Sequence, residues 1–201
     1  VRSSGWSCGY RLAMGRPTGD TITDDRRDTF RVWHRLDWLP GPFGTRLFSG
    51  AAALKAPYFA TVLPHVRVLE PGRCVVTASR GWWMRNHIGT FHAIAACNLA
   101  EVAMGMLAEA SVPTTHRWIP KAMDARYLAK TTGGLTATAV LDPLPDFAGI
   151  TSGVEVVVPV SLVDAAGVMS VRCAITLWIT PATRRDSPGR GRRRFGVRTS
   201  L

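Results

Sequence analysis

Residues 86–110 read NHIGTFHAIAACNLAEVAMGMLAEA. From Ala93 onward the run is apolar or small except at Asn98, Glu101 and Glu109. Such a run predicts one long helix over 92–110, too apolar to keep a solvent-facing side. It is about long enough to cross a bilayer, yet Glu101 sits at its centre and Glu109 near its end. A carboxylate at mid-bilayer is costly, so the helix is expected inside protein, with no membrane span. The segment before it, GWWMRNHIGTFHA (81–93), mixes Gly, aromatic and polar residues and is expected to be a loop.

Outward from this centre the pattern is extended. ATVLPHVRVLE (60–70) and CVVTAS (74–79) alternate and are joined by PGR, a tight turn. Pro64 demotes the first run to an edge or bulged strand. Downstream, THRWIPKAMDARYLAK (115–130), LTATAVL (135–141), VEVVVPVSLVD (154–164) and VMSVRCAITLWIT (168–180) read as strands, with turns at TTGG (131–134) and AAG (165–167). Upstream, FRVWHRLDWL (30–39) has apolar residues at 30, 32, 33, 36 and 39, a short amphipathic helix stopped by PGPFG, and a second short helix covers 45–55. An α+β domain follows: five or six antiparallel strands wrapped around one central helix, with short N-terminal lead-in helices. The expected boundaries are 1–29 as a flexible segment, 30–182 as a single domain, and 183–201 as a disordered Arg-rich tail.

The net charge of +11 suggests nucleic acid until it is located. Residues 183–201 carry +6 and residues 1–30 carry +1, leaving +4 for residues 31–182. The basic character is mostly a tail property; such a tail either holds phosphates or anionic membrane by charge or is a disordered, solubilising terminus, and nucleic acid is not the expected partner. Cys8, Cys74, Cys97 and Cys173 form no CxxC or CxxH pair, so no metal site is expected and buried thiols in a reducing cytoplasm are the default. The first 30 residues lack the apolar core of a signal peptide, which agrees with a cytoplasmic location.

The string N-x2-G-x2-H-x8-E, formed by Asn86, Gly89, His92 and Glu101, resembles the phenylacetate-pathway type of acyl-CoA thioesterase, a hot-dog-fold family. KAMDARYLAKTTGGLTATA (121–139) resembles that family's central hairpin, and Pro57 to Phe59 match a PYF segment in a related branch of hot-dog proteins. The resemblance implies a hot-dog fold, an acyl-CoA substrate with coenzyme A as part of it, no separate cofactor, and a homodimer or dimer of dimers. The family usually has Gly-Gly after the loop His, whereas here Ala93 and Ile94 follow His92.

Thioester hydrolysis needs a polarised carbonyl and an activated water or an attacking carboxylate. The N–H of Ala93 at the helix N-terminus suits a developing oxyanion. Asn86 either donates to the same oxygen or satisfies loop backbone. Glu101 is the candidate base or nucleophile, or a structural carboxylate. His92 is a candidate base, or a helix-start residue bonded to the loop. Gly89, Thr90 and Asn98 are expected to border the substrate, and Arg126 and Lys130 either meet coenzyme A phosphates or are solvated strand charges. Ala93 and Glu101 are eight residues apart, about 12 Å along one helix, so one chain cannot bring both to one carbon. As the resemblance implies, antiparallel helices of two subunits would supply the two halves. The alternatives are a dehydratase or hydratase using His87 and Glu101, fourteen residues apart, and a non-catalytic acyl-CoA binder.

Overall fold

The computed structural model describes residues 27–36 and 38–182. The expectations for residues 1–26 and for the Arg-rich tail lie outside the described residues. Two helices open the described chain, α1 (Asp28–Leu36) and α2 (Phe43–Lys55). Trp33 of α1 and Phe48 of α2 are buried edge to face, with ring centroids 5.0 Å apart. A 3-10 helix over Pro57–Val62 replaces the first half of the predicted strand 60–70. Leu63 lies at φ 41° and Pro64 has no N–H, so strand pairing begins only at His65.

The strands are β1 (His65–Glu70), β2 (Arg73–Ala78), β3 (His116–Tyr127), β4 (Leu135–Val140), β5 (Val154–Asp164) and β6 (Met169–Pro181). They form one sheet in the order β1-β2-β4-β5-β6-β3, and every pairing is antiparallel. The edge-strand expectation from Pro64 holds: β1 is an edge and is bulged between Val66 and Val68. Its outer side is covered by α2, where Ser49 Oγ accepts the buried Val66 N–H at 2.9 Å and Thr45 Oγ1 lies 2.7 Å from His65 Nε2.

One expectation is corrected. The run 121–139 is not a hairpin. β3 is the opposite edge strand and pairs with β6 from His116 to Tyr127, while β4 lies between β2 and β5. TTGG is a crossover rather than a turn between neighbours. It is held where Phe91 N–H donates to Thr131 O at 2.9 Å and where Gly134 comes so close to Ala78 that a Cβ would stand 2.6 Å from the Ala78 carbonyl. Alternation along a strand reports its two faces and is blind to which strand lies beside it.

The predicted helix is α3 (Ala93–Ser111), 19 residues long, which at 1.5 Å per residue spans about 28 Å. It lies on one face of the sheet. Leu99, Met104 and Leu107 are fully buried there with Val76, Ala137, Val158, Leu162, Ile175 and Leu177. Each such large apolar side chain contributes roughly 1.5–3 kcal/mol. One row of α3 stays partly uncovered: Ala93, Cys97 and Glu101, four residues apart in turn.

Candidate active site at the start of the central helix

The loop before α3 is closed by an isolated bridge between Arg85 and Phe91. Asn86 organises it. Its Oδ1 accepts the N–H groups of Ile88 (3.1 Å) and Thr90 (3.0 Å), and its Nδ2 donates to Thr90 Oγ1 at 2.7 Å. The Asn86 backbone carbonyl accepts from Gly89 N–H at 3.0 Å, and Gly89 takes φ +78°, a left-handed conformation that favours glycine. Gly89 therefore makes the turn, and Asn86 spends its oxygen and one of its two amide hydrogens on the loop.

His92 is the N-cap of α3. Its Nδ1 accepts the Ile94 N–H at 3.1 Å, and its own N–H donates to Met84 O at 2.7 Å. With Nδ1 used as an acceptor, the neutral ring carries its proton on Nε2. This is the helix-start reading of His92 rather than the general-base one. The cap consumes the N–H of Ile94, and Ala93 N–H has no acceptor among the described residues. A helix N-terminus with a free N–H is suited to a developing negative charge.

The polar residues of α3 are spent differently. Asn98 is 6% exposed, and its Nδ2 donates to Thr61 Oγ1 at 2.9 Å and Tyr58 O at 3.4 Å. Its Oδ1 is buried without a partner among the described residues. Glu109 accepts from Thr29 Oγ1 at 2.6 Å and faces Arg27 Nη1 at 3.9 Å, so it ties the N-terminal helices to α3. Gly105 packs toward Trp118. Glu101 alone is half-buried without a hydrogen bond or ion pair among the described residues.

Two clefts flank the start of α3. The first, about 190 Å³, is lined by Asn86, Thr90, Ala93, Tyr127 and Lys130 among others. The second, about 280 Å³, is lined by Tyr58, Thr61, Trp83, His92, Ile94 and Asn98. The predicted residues are thus divided: Asn86, Thr90, Ala93 and Lys130 meet in one cleft, and His92 and Asn98 in the other. Glu101 lines neither, and neither does His87. Arg126 stands on the opposite face of β3 from Tyr127, by strand alternation, with its Nε 3.6 Å from Asp124 Oδ1, and is not among the residues lining that cleft.

Sequence reasoning missed Tyr127 and Cys97. Tyr127 ends β3 on the helix side, and its Oη lies 3.0 Å from Cys97 Sγ. That hydrogen bond, with burial and the neighbouring Cys97 and Cys173 thiols adding, pushes the phenol up to about 12. Cys74 and Cys173 are buried as expected, and burial raises both thiols, Cys173 to about 11. Cys97 is instead partly exposed.

A six-stranded antiparallel sheet wrapped on one long helix, with a capped loop at the helix start, is the hot-dog architecture seen in thioesterases. A structural-genomics target is 36% identical, covers 77% of this chain and 99% of its own, and superposes with a TM-score of 0.65. A Pseudomonas aeruginosa protein described as of unknown function and a probable thioesterase is 25% identical over 70% of this chain and 98% of its own, with a TM-score of 0.62. A Staphylococcus aureus thioesterase, 17% identical over 62% of this chain and 99% of its own, has a TM-score of 0.54 and shares the fold. The chain belongs to the family described as "Domain of unknown function (DUF4442)", which it matches over residues 44–179. Among curated proteins there is no sequence match.

Proposed function

We propose that the protein is an acyl-CoA thioesterase whose site is shared between two copies of the chain. The observation that carries this is the uncovered row on α3: an N–H at Ala93 and a carboxylate at Glu101, each without a partner among the described residues and about 12 Å apart on one helix face. Two such helices, antiparallel across a two-fold axis, bring the Glu101 of one copy to the Ala93 of the other. The long edge strand β3, with β6 on one side and no described strand on the other, offers the surface on which two sheets join. A further likeness supports the pairing of Asn86 with Glu101. The Staphylococcus aureus protein has been made as two single variants, at a glutamine and a glutamate fifteen positions apart. Asn86 and Glu101 have the same separation.

In this reading the thioester carbonyl oxygen sits on the Ala93 N–H, with the remaining Asn86 amide hydrogen beside it. Glu101 takes a proton from water as the water oxygen bonds to the carbonyl carbon, and the C=O pair moves onto oxygen. Collapse of that intermediate breaks the C–S bond, and the sulfur leaves with the proton returned by Glu101. Lys130 meets coenzyme A phosphate at the mouth of the cleft. The methyl group of Ala93 narrows the acyl entrance relative to Gly-Gly, while Ile94 lines the other cleft.

The test is thiol release from a panel of acyl-CoAs. Release that falls by about 100-fold or more in Glu101→Gln supports the reading. Hydration of an enoyl-CoA without thiol release, or saturable binding with neither reaction, overturns it.

A further inference from the structure

Tyr127 has no part in the mechanism above, yet it lines the cleft in which that mechanism places the thioester oxygen. Cys97 lies midway on α3, four residues from Ala93 and four from Glu101, about 6 Å from each along the axis. Tyr127 Oη is 3.0 Å from its sulfur, and the ring borders the same cleft as Ala93, Asn86 and Lys130. The side chain is 52% exposed in the single chain, so it is not locked into the core. Its partner is a poor one. A thiol sulfur is a weak acceptor, so a hydroxyl aimed at Cys97 Sγ gives up little by turning to an oxygen that bears charge.

We propose that the Tyr127 hydroxyl is a further oxyanion donor, beside the Ala93 N–H and the Asn86 amide, leaving Cys97 Sγ for the thioester oxygen as negative charge builds there. The inference rests on the thioesterase reading. No proton moves: the phenol O–H donates a hydrogen bond, and Glu101 alone handles the proton of the attacking water. The direction of the Tyr127 shift suits this role, because a phenol that holds its proton more tightly than usual stays a donor throughout the physiological range. Cys97 is then a resting partner that holds the ring in place when the cleft is empty. The substrates served best are those whose carbonyl oxygen can sit between Ala93 N–H and Tyr127 Oη.

The experiment compares Tyr127→Phe and Cys97→Ala with wild type, each checked for an unchanged fold by circular dichroism. Loss of one oxyanion donor is expected to lower kcat about 100-fold with KM nearly unchanged. Cys97→Ala keeps the hydroxyl and should retain kcat to within about threefold. If Tyr127→Phe keeps wild-type kcat, or if Cys97→Ala loses as much as Tyr127→Phe, the bond merely fastens β3 to α3 and the proposal is wrong. Should wild type release no thiol from any acyl-CoA, the thioesterase reading fails first. Tyr127 is then tested by binding of a non-hydrolysable acyl-CoA ketone analogue. Weaker binding to Tyr127→Phe keeps the donor role, and equal binding ends it.

Discussion

Mixing two inactive variants tests the shared site directly. In Glu101→Gln the carboxylate is lost and the helix keeps its shape. In Ala93→Pro the oxyanion N–H is lost, and the structure shows why the helix should survive. Ala93 is the first helical position, where proline is well tolerated, and its N–H has no acceptor among the described residues. His92 before it already lies at φ −65°, ψ 132°, the extended region that a following proline requires. Each homodimer should lose about 100-fold or more of its activity, the loss expected of one oxyanion donor or one base. In a mixed dimer one site carries both defects and the other carries neither. Random pairing of equal amounts makes about half the dimers mixed, with one of two sites intact, so about a quarter of wild-type activity should return. The two variants are unfolded and refolded together, mixed dimers are counted by native mass spectrometry, and thiol release is followed. Mixed dimers that form without any recovered activity would refute the shared site, because Ala93 and Glu101 would then have to act within one chain.

Other outcomes follow from single residues. Gly89→Ala should cost about 1–2 kcal/mol in chemical denaturation, all of it backbone strain at φ +78°, since a Cβ there meets nothing; an unchanged midpoint refutes the turn's need for glycine. Leu107→Ala, at 0% exposure, should lose about 3 kcal/mol by the same measurement. Burial first, then Arg67 and Arg46, lowers His65 below its usual 6.5. The folded chain then binds fewer protons than the unfolded one in acid, so this stability is present above about pH 6.5 and is lost as pH falls. The melting temperature of wild type should therefore drop more between about pH 7 and pH 5 than that of His65→Gln, and parallel slopes would contradict this. The phenolate absorbance that differs between wild type and Tyr127→Phe should appear near pH 12, and in Cys97→Ala it should move down toward the usual tyrosine value.

The central helix was legible because nineteen residues with almost no polar side can only be wrapped, and a wrapped helix calls for a sheet. The strands were legible from alternation, and Pro64 marked an edge. The order of strands was not, since β3 and β4 follow each other in the chain but stand at separate places in the sheet. Among the candidate site residues, Asn86, Ala93 and Glu101 came from the resemblance of the loop-and-helix string to a thioesterase family, and helix spacing separated Ala93 from Glu101. What spacing could not report was how side chains are spent. Asn98 and Glu109 looked equivalent to Glu101 in the sequence, yet Thr61 and Tyr58 occupy the first, and Thr29 and Arg27 occupy the second. Their partners lie about 37–82 positions away. Tyr127 carried a signal that was available. It follows Met123 and Ala125 on the helix side of β3, and Cys97 lies one turn beyond Ala93.

The two rims of the sheet are unlike in a way that limits growth. At β1 the rim is six residues long, bulged, preceded by a left-handed Leu63 and a proline, and closed off by Ser49, which takes the Val66 amide. At β3 the rim is twice as long and, though bulged between Pro120 and Ala122, carries no stopper from another element among the described residues. Strands from another molecule can extend the sheet on the β3 side and find no purchase on the β1 side. In the proposed dimer, a pair joined rim to rim at β3 would end in two β1 rims, and the continuous sheet would terminate at twelve strands instead of running on as a fibre.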